Sequence, residues 1–167
     1  YTFLKAAALV HREHPGVHFV LAGSRVDSGN AQLATWLLEL GIEAVTHLLG
    51  ERRDVPYITA ALDVACSSSI TEGFPTAVGE AMACSVPCVV TDAGDSALLV
   101  GESGRIVPSR NSSALALGLQ EMIDMGAVER ERLGSLGRTR VEDSYSLPAV
   151  VRRYELMYEE IVTHCAE

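Results

Sequence analysis

Residues 62–92 read LDVACSSSITEGFPTAVGEAMACSVPCVVTD, and this stretch decides the fold. It predicts a strand from Asp63 to Ser67, a loop to Phe74, a helix from Pro75 to Cys84, and a second strand from Pro87 to Thr91. Both strand segments are short apolar runs without alternation, the pattern of parallel strands covered on both faces. Pro75 suits the first helical position, where a missing N–H costs nothing. Gly73 lets backbone approach a ligand closely. The amides of the first helical turn then point beyond the strand end, and helix N-termini favour anions.

Two carboxylates frame this turn. Glu72 precedes the helix, and Glu80 shares a helix face with Thr76, four residues earlier. Val78 and Met82 lie about 200° from Glu80, so they are expected to bury on the sheet while Glu80 looks away. Gly79 and Ala83 are expected to allow close helix–sheet packing. Amides for a phosphate and carboxylates for hydroxyl groups are what a sugar nucleotide requires.

The two glutamates, Glu72 and Glu80, enclose seven residues, and Glu72-Gly-Phe-Pro resembles the E-x7-E turn of retaining glycosyltransferases of family 4. Asp54-Val-Pro, Ala61-Leu-Asp-Val, Ser67-Ser-Ser, Glu80-Ala-Met-Ala and Gly104-Arg-Ile-Val-Pro are similar to that family's C-terminal domain as well. The resemblance implies a two-domain GT-B enzyme whose C-terminal, donor-binding half this chain is. It implies that Glu72 contacts the transferred sugar near the reacting carbon and that Glu80 accepts hydrogen bonds from the ribose. Gly73, Phe74, Pro75 and Thr76 would line the sugar and diphosphate, through backbone amides except at Pro75. Leu49-Gly50-Glu51-Arg52-Arg53-Asp54 resembles the base-binding loop, although Arg52 or Arg53 equally suits a surface charge or a pair with Asp54. Gly23 with Ser24-Arg25 reaches the diphosphate or base, or is a plain strand-end turn.

The family's domain starts with one further strand and a loop bearing an Arg and a Lys for the donor phosphates. Lys5 does not match that lysine, being placed within a helix. The chain is therefore expected to be a single domain over residues 1–167 that lacks its first strand and the N-terminal acceptor domain, and to be inactive alone. The implied partners are a nucleoside-diphosphate sugar, UDP-sugar favoured, and an acceptor held mainly by the other domain. No cofactor is implied, and GT-B enzymes generally need no metal. The expected location is the cytoplasm, or the membrane periphery through the other domain. A GT-B sugar-nucleotide epimerase and a non-catalytic nucleotide-binding module are the alternatives.

Composition is consistent with this. A length of 167 residues suggests one domain, large enough to bury roughly 70% of its unfolded surface. A formal charge of −9 argues against a nucleic-acid partner, which needs clustered Lys and Arg. No apolar run approaches the roughly 20 residues that span a bilayer, and no signal peptide is visible at Tyr1. Cys66, Cys84, Cys88 and Cys165 form no C-x-x-C pair and read as structural thiols of a reducing compartment. His11, His14, His18, His47 and His164 are not spaced as a metal set, and Asp92 and Asp95 form no D-x-D clamp.

Outside the central unit, helices are expected over 1–13, from Ser28 or Asn30 to Leu40, from Asp54 to Ala61, and over 112–125, 127–143 and 148–164. Strands are expected over 17–22, 44–49 and 105–107, with a loop over 93–102. This alternation indicates an α/β doubly wound parallel sheet with C-terminal helices. Ligands bind such sheets outside the carboxyl ends of the strands. Gly23, Gly50 and Glu72 are all placed there.

Overall fold

A computed structural model describes residues 1–165, the side chain of Cys165 excepted, so the reading of that thiol lies outside the described residues. The order is α1 (Thr2–Glu13), β1 (Phe19–Leu21), α2 (Ala31–Leu40), β2 (Thr46–Leu48), α3 (Val55–Ala60), β3 (Ala65–Ser67), α4 (Thr76–Ala83) and β4 (Cys88–Thr91). Then follow α5 (Ser96–Val100), β5 (Gly104–Val107), α6 (Ser112–Asp124), α7 (Gly126–Tyr145) and α8 (Leu147–Cys165). All strand pairs are parallel: β1 with β2, and β4 between β3 and β5.

The central strand explains its own sequence. All four residues of β4 are buried. Val89 joins a core with Leu4, Ala7, Val10, Leu115 and Met122 from α1 and α6, whereas Cys88 and Val90 join Val78, Met82 and Leu99 from α4 and α5. Successive side chains therefore point into different layers, which is why an uninterrupted apolar run is needed. Each fully buried aliphatic side chain contributes about 1.5–3 kcal/mol.

Local signals set several boundaries. Asn30 Oδ1 accepts from the Leu33 amide, and Gly41 ends α2 in the left-handed region at φ 67°. Asn111 caps α6 in the same way through the Ala114 amide. Other expectations are corrected. Residues 44 and 45, expected to begin a strand, lie in a 3-10 turn, Glu43–Val45, before β2. The expected 93–102 loop contains α5 and a second 3-10 turn, Gly101–Ser103. Arg140 of α7 donates to the carbonyls of Leu98 and Leu99, so a tertiary contact stabilises that short helix end. Pro75 is the N-cap of α4 at ψ 78°, and its carbonyl accepts from the amides of Val78 and Gly79. Of the two small residues expected to pack closely, Gly79 lies against Leu99 of α5, whereas Ala83 faces solvent and Ala81, which is 2% exposed, packs in its place.

The five strands do not hydrogen-bond as one ladder. The free edge of β1 faces that of β3 across a slot of about 670 Å³. Val17, Phe19 and Val20 line one wall, Val64 and Cys66 the other, with Phe3 and Leu119 on one layer and Ile58 and Ala81 on the opposite one. At the far end, α8 packs on α7 and exposes Leu147, Val151, Tyr154, Tyr158 and Ile161. No helix among the described residues is long and apolar enough to cross a membrane.

Candidate functional site

The loop after β3 carries Glu72 and is tied down from two sides. Glu72 Oε1 accepts a hydrogen bond from Ser69 Oγ at 2.6 Å. The Ser69 carbonyl in turn accepts from Thr91 Oγ1, at the end of β4, at 2.6 Å. Thr91 is 1% exposed, so this donor is fixed by the core. From the next loop, the Asp95 amide donates to the Gly73 carbonyl at 3.2 Å. Gly94 adopts φ +53°, and a Cβ there would stand 2.2 Å from the Glu72 carbonyl oxygen. Only glycine permits this approach. The sequence gives Ser69 only as part of Ser67-Ser-Ser, and assigns no site role to it, to Thr91 or to Gly94. The signals were faint: three serines after an apolar strand, and a threonine and a glycine where the next strand ends.

The beginning of α4 presents backbone donors. The amides of Gly73, Phe74 and Ala77 donate to no group among the described residues, whereas that of Thr76 donates to the Phe74 carbonyl at 3.0 Å. The Thr76 amide, expected among the open donors, is thus engaged within the loop. Val78 and Met82 are buried and Glu80 is exposed on the face it shares with Thr76, as the helical spacing requires. Phe74 is 46% exposed and its ring lies 5.6 Å from that of Tyr145, a residue not singled out in the sequence.

The loops after β1 and β2 are joined to each other. The Gly23 amide donates to the Gly50 carbonyl at 2.8 Å, and the Gly50 amide to the Val26 carbonyl at 2.7 Å. Both amides are thus consumed in building the loop pair, while the side chains of Ser24, Arg25, Leu49 and Glu51 are exposed there. Arg52 makes a two-pronged contact with Asp54, Nε to Oδ1 at 2.8 Å and Nη2 to Oδ2 at 2.6 Å. That hydrogen-bonded pair raises the Arg52 pKa and lowers that of Asp54. It also occupies the carboxylate that would otherwise cap α3, where no side-chain cap is formed. Of the two arginines, Arg52 is the paired one, and Arg53 is exposed.

Among the described residues no group of three His, Cys, Asp or Glu side chains gathers as a metal site. Two of the five histidines do meet: His18, just before β1, has its Nδ1 3.0 Å from Nε2 of His47 in β2. Cys66, Cys84 and Cys88 are unpaired. Burial pushes the thiols of Cys66 and Cys88 up to about 12.

A family model described as "Glycosyl transferases group 1" matches residues 1–125. The MMP alpha-(1->4)-mannosyltransferase of Mycolicibacterium hassiacum is 31% identical over 135 residues, covering 78% of this chain and 33% of that protein. This chain thus spans about a third of that relative's length. Alr3699/HepE of Anabaena, solved in complex with UDP, superposes with a TM-score of 0.82 at 22% identity, over 95% of this chain and 44% of that one. The C-terminal domain of a glycosyl transferase group 1 family protein, LpcC, from Francisella tularensis superposes at 0.75 with 23% identity, over 87% of this chain and 78% of that one. The structural likenesses establish the fold, one Rossmann-like half of a GT-B architecture.

Proposed function

We propose, for a chain that belongs to the glycosyl transferases group 1 family, that it is the donor-binding half of a retaining enzyme that moves a hexose from a UDP-sugar to an acceptor hydroxyl. One observation carries most of the weight. Glu72, the free amides of Gly73, Phe74 and Ala77, and Glu80 follow one another from the end of β3 into α4, and the leading end is anchored through Ser69 to Thr91. A helix N-terminus with free amides suits the diphosphate. Glu80, more than one turn further along, suits the ribose hydroxyls, and Glu72 the hydroxyls of the sugar. The choice of uridine is supported by a protein of similar fold that was crystallised with UDP and with UDP-glucose.

In the proposed reaction the acceptor oxygen bonds to the anomeric carbon as the bond from that carbon to the diphosphate oxygen breaks. The acceptor proton passes to the departing diphosphate on the same face, which preserves configuration. Amides at the start of α4 stabilise the charge developing on the diphosphate, an electrostatic contribution that is usually the largest in such steps. No side chain of this chain has to form a covalent bond to the sugar.

The slot between β1 and β3 supports the expected division of the molecule. Two parallel edges facing each other across an apolar gap are the mould of one additional parallel strand. We assign that strand to the same polypeptide, ahead of Tyr1, with the acceptor-binding domain before it. Three free thiols support a reducing compartment, hence the cytoplasm or its membrane surface. The test is transfer of a labelled hexose from UDP-hexose by the full-length protein, with the anomeric configuration of the product read by NMR. An inverted product, or epimerised sugar nucleotide without transfer, would replace this reading.

A further inference from the structure

Helix α7 runs back along α4 and touches both of its ends. At the carboxyl end, Arg138 Nη1 donates to the Ala83 carbonyl at 2.9 Å, a basic group on a helix C-terminus. Near that end, Gly134 passes so close to the turn after α4 that a Cβ would stand 1.9 Å from the Ser85 carbonyl oxygen. Seven residues beyond Arg138, about 10 Å along the axis, Tyr145 meets Phe74, which precedes the first turn of α4. Helix α7 is therefore a splint along α4, gripping the backbone at one end and an aromatic ring at the other.

Tyr145 is placed at a junction. It packs against the core layer that holds Val78, Met82 and Val90, and it is the last residue of α7. Ser146, extended at φ −65° and ψ 154°, separates α7 from α8. From the second turn of α8, Arg153 brings its guanidinium 6.0 Å from the centre of the Tyr145 ring and donates to the Ser144 carbonyl. On the other side, the Phe74 amide and, one peptide earlier, the Gly73 amide donate to no group among the described residues. The Phe74 ring contact is thus a second tie on this segment, beside the hydrogen bond from the Asp95 amide to the Gly73 carbonyl.

We propose that Tyr145 is a positioning residue for the donor loop: by holding the Phe74 ring it fixes the Gly73 and Phe74 amides beside Glu72. This rests on the reading of that loop as the donor site. It also makes the α7–α8 junction, clasped by Arg153, part of the donor site's support.

The test uses the full-length protein and two readouts. Hydrogen exchange without nucleotide reports loop order directly. Tyr145→Ala is expected to speed exchange at residues 72–77 by about two- to tenfold, the worth of one aromatic pair, while α6 stays as protected as before. Tyr145→Phe is expected to restore the loop, and Phe74→Ala to match Tyr145→Ala with no further effect when both are changed. UDP-glucose affinity, measured by calorimetry, should fall by a similar factor in the alanine variants and recover in Tyr145→Phe. Unchanged loop exchange in Tyr145→Ala, or a rise shared equally by α6, overturns the proposal. Faster loop exchange in a protein that binds no UDP-glucose in any form leaves Tyr145 as the loop's support and sinks the donor reading instead.

Discussion

Thr91 Oγ1 donates to the Ser69 carbonyl at 2.6 Å, so the last residue of β4 holds the loop that follows β3. Thr91→Val keeps the shape and removes the donor, leaving a carbonyl without this partner. Stability is expected to fall by about 1–3 kcal/mol. UDP-sugar affinity should fall with it, because Glu72 is held through the same serine. Denaturant unfolding and calorimetry on the variant check both; an unchanged denaturation midpoint would show the bond to be dispensable.

The two glutamates should have separable effects. Glu80 is exposed inside α4 and Glu72 in the loop before it, more than one helical turn of about 5.4 Å away. Glu80→Ala is expected to weaken UDP and UDP-glucose alike. Glu72→Ala should leave UDP nearly unchanged and act only when the sugar is attached. Each charge-assisted hydrogen bond lost amounts to about 1.5–3 kcal/mol. Equal weakening of bare UDP by both variants would refute the division.

Gly94→Ala places a Cβ 2.2 Å from the Glu72 carbonyl oxygen and forces a side chain into φ +53°. The backbone conformation alone costs about 1–2 kcal/mol, and the overlap must displace the Glu72–Gly73 peptide. A lowered Tm with a disproportionate loss of UDP-glucose binding is expected. A variant that melts and binds like the parent would mean that the two loops do not press on each other in solution.

Alkaline pH should destabilise the fold through two thiols. Burial pushes Cys66 and Cys88 up to about 12, with the Cys88 charge a second, smaller cause at Cys66. An unfolded thiol loses its proton near pH 8.5 (about). The folded state thus keeps protons that the unfolded chain releases, so this stabilisation is complete below about pH 8.5 and is lost as the pH rises towards 12. The slope is about 1.4 kcal/mol per pH unit for each thiol. Cys88→Ala should remove about half of it, measured as the difference in unfolding free energy between parent and variant across pH 9 to 10.5 (roughly). Parallel curves for parent and variant would contradict it.

What the sequence disclosed depended on how local the cause was. The core strand β4 was legible because both of its faces are covered, which demands an unbroken apolar run, here Cys88 to Val90 before Thr91. Helix α2 was legible because Asn30 and Gly41 are short-range caps. The 3-10 turn at residues 43–45 and helix α5 were not. The carbonyls that end α5 are held by Arg140, about forty residues away along the chain. The site divides similarly. The carboxylates and amides around α4 could be placed by helical spacing, but their anchors, Thr91, Gly94 and Tyr145, come from other elements. The loop after β2 shows the opposite limit. Arg52 stood in the right stretch, yet its guanidinium is engaged by Asp54, a choice between neighbours that composition leaves open.

The facing edges of β1 and β3 also bear on how this polypeptide behaves in solution. Each edge is a row of N–H and C=O groups with no ladder partner on that side among the described residues. Such rows are templates for any extended chain that reaches them, whether or not it belongs there. Left open, this seam is expected to make the chain self-associate as its concentration rises. Light scattering against concentration therefore reports, without any substrate, whether the seam is closed.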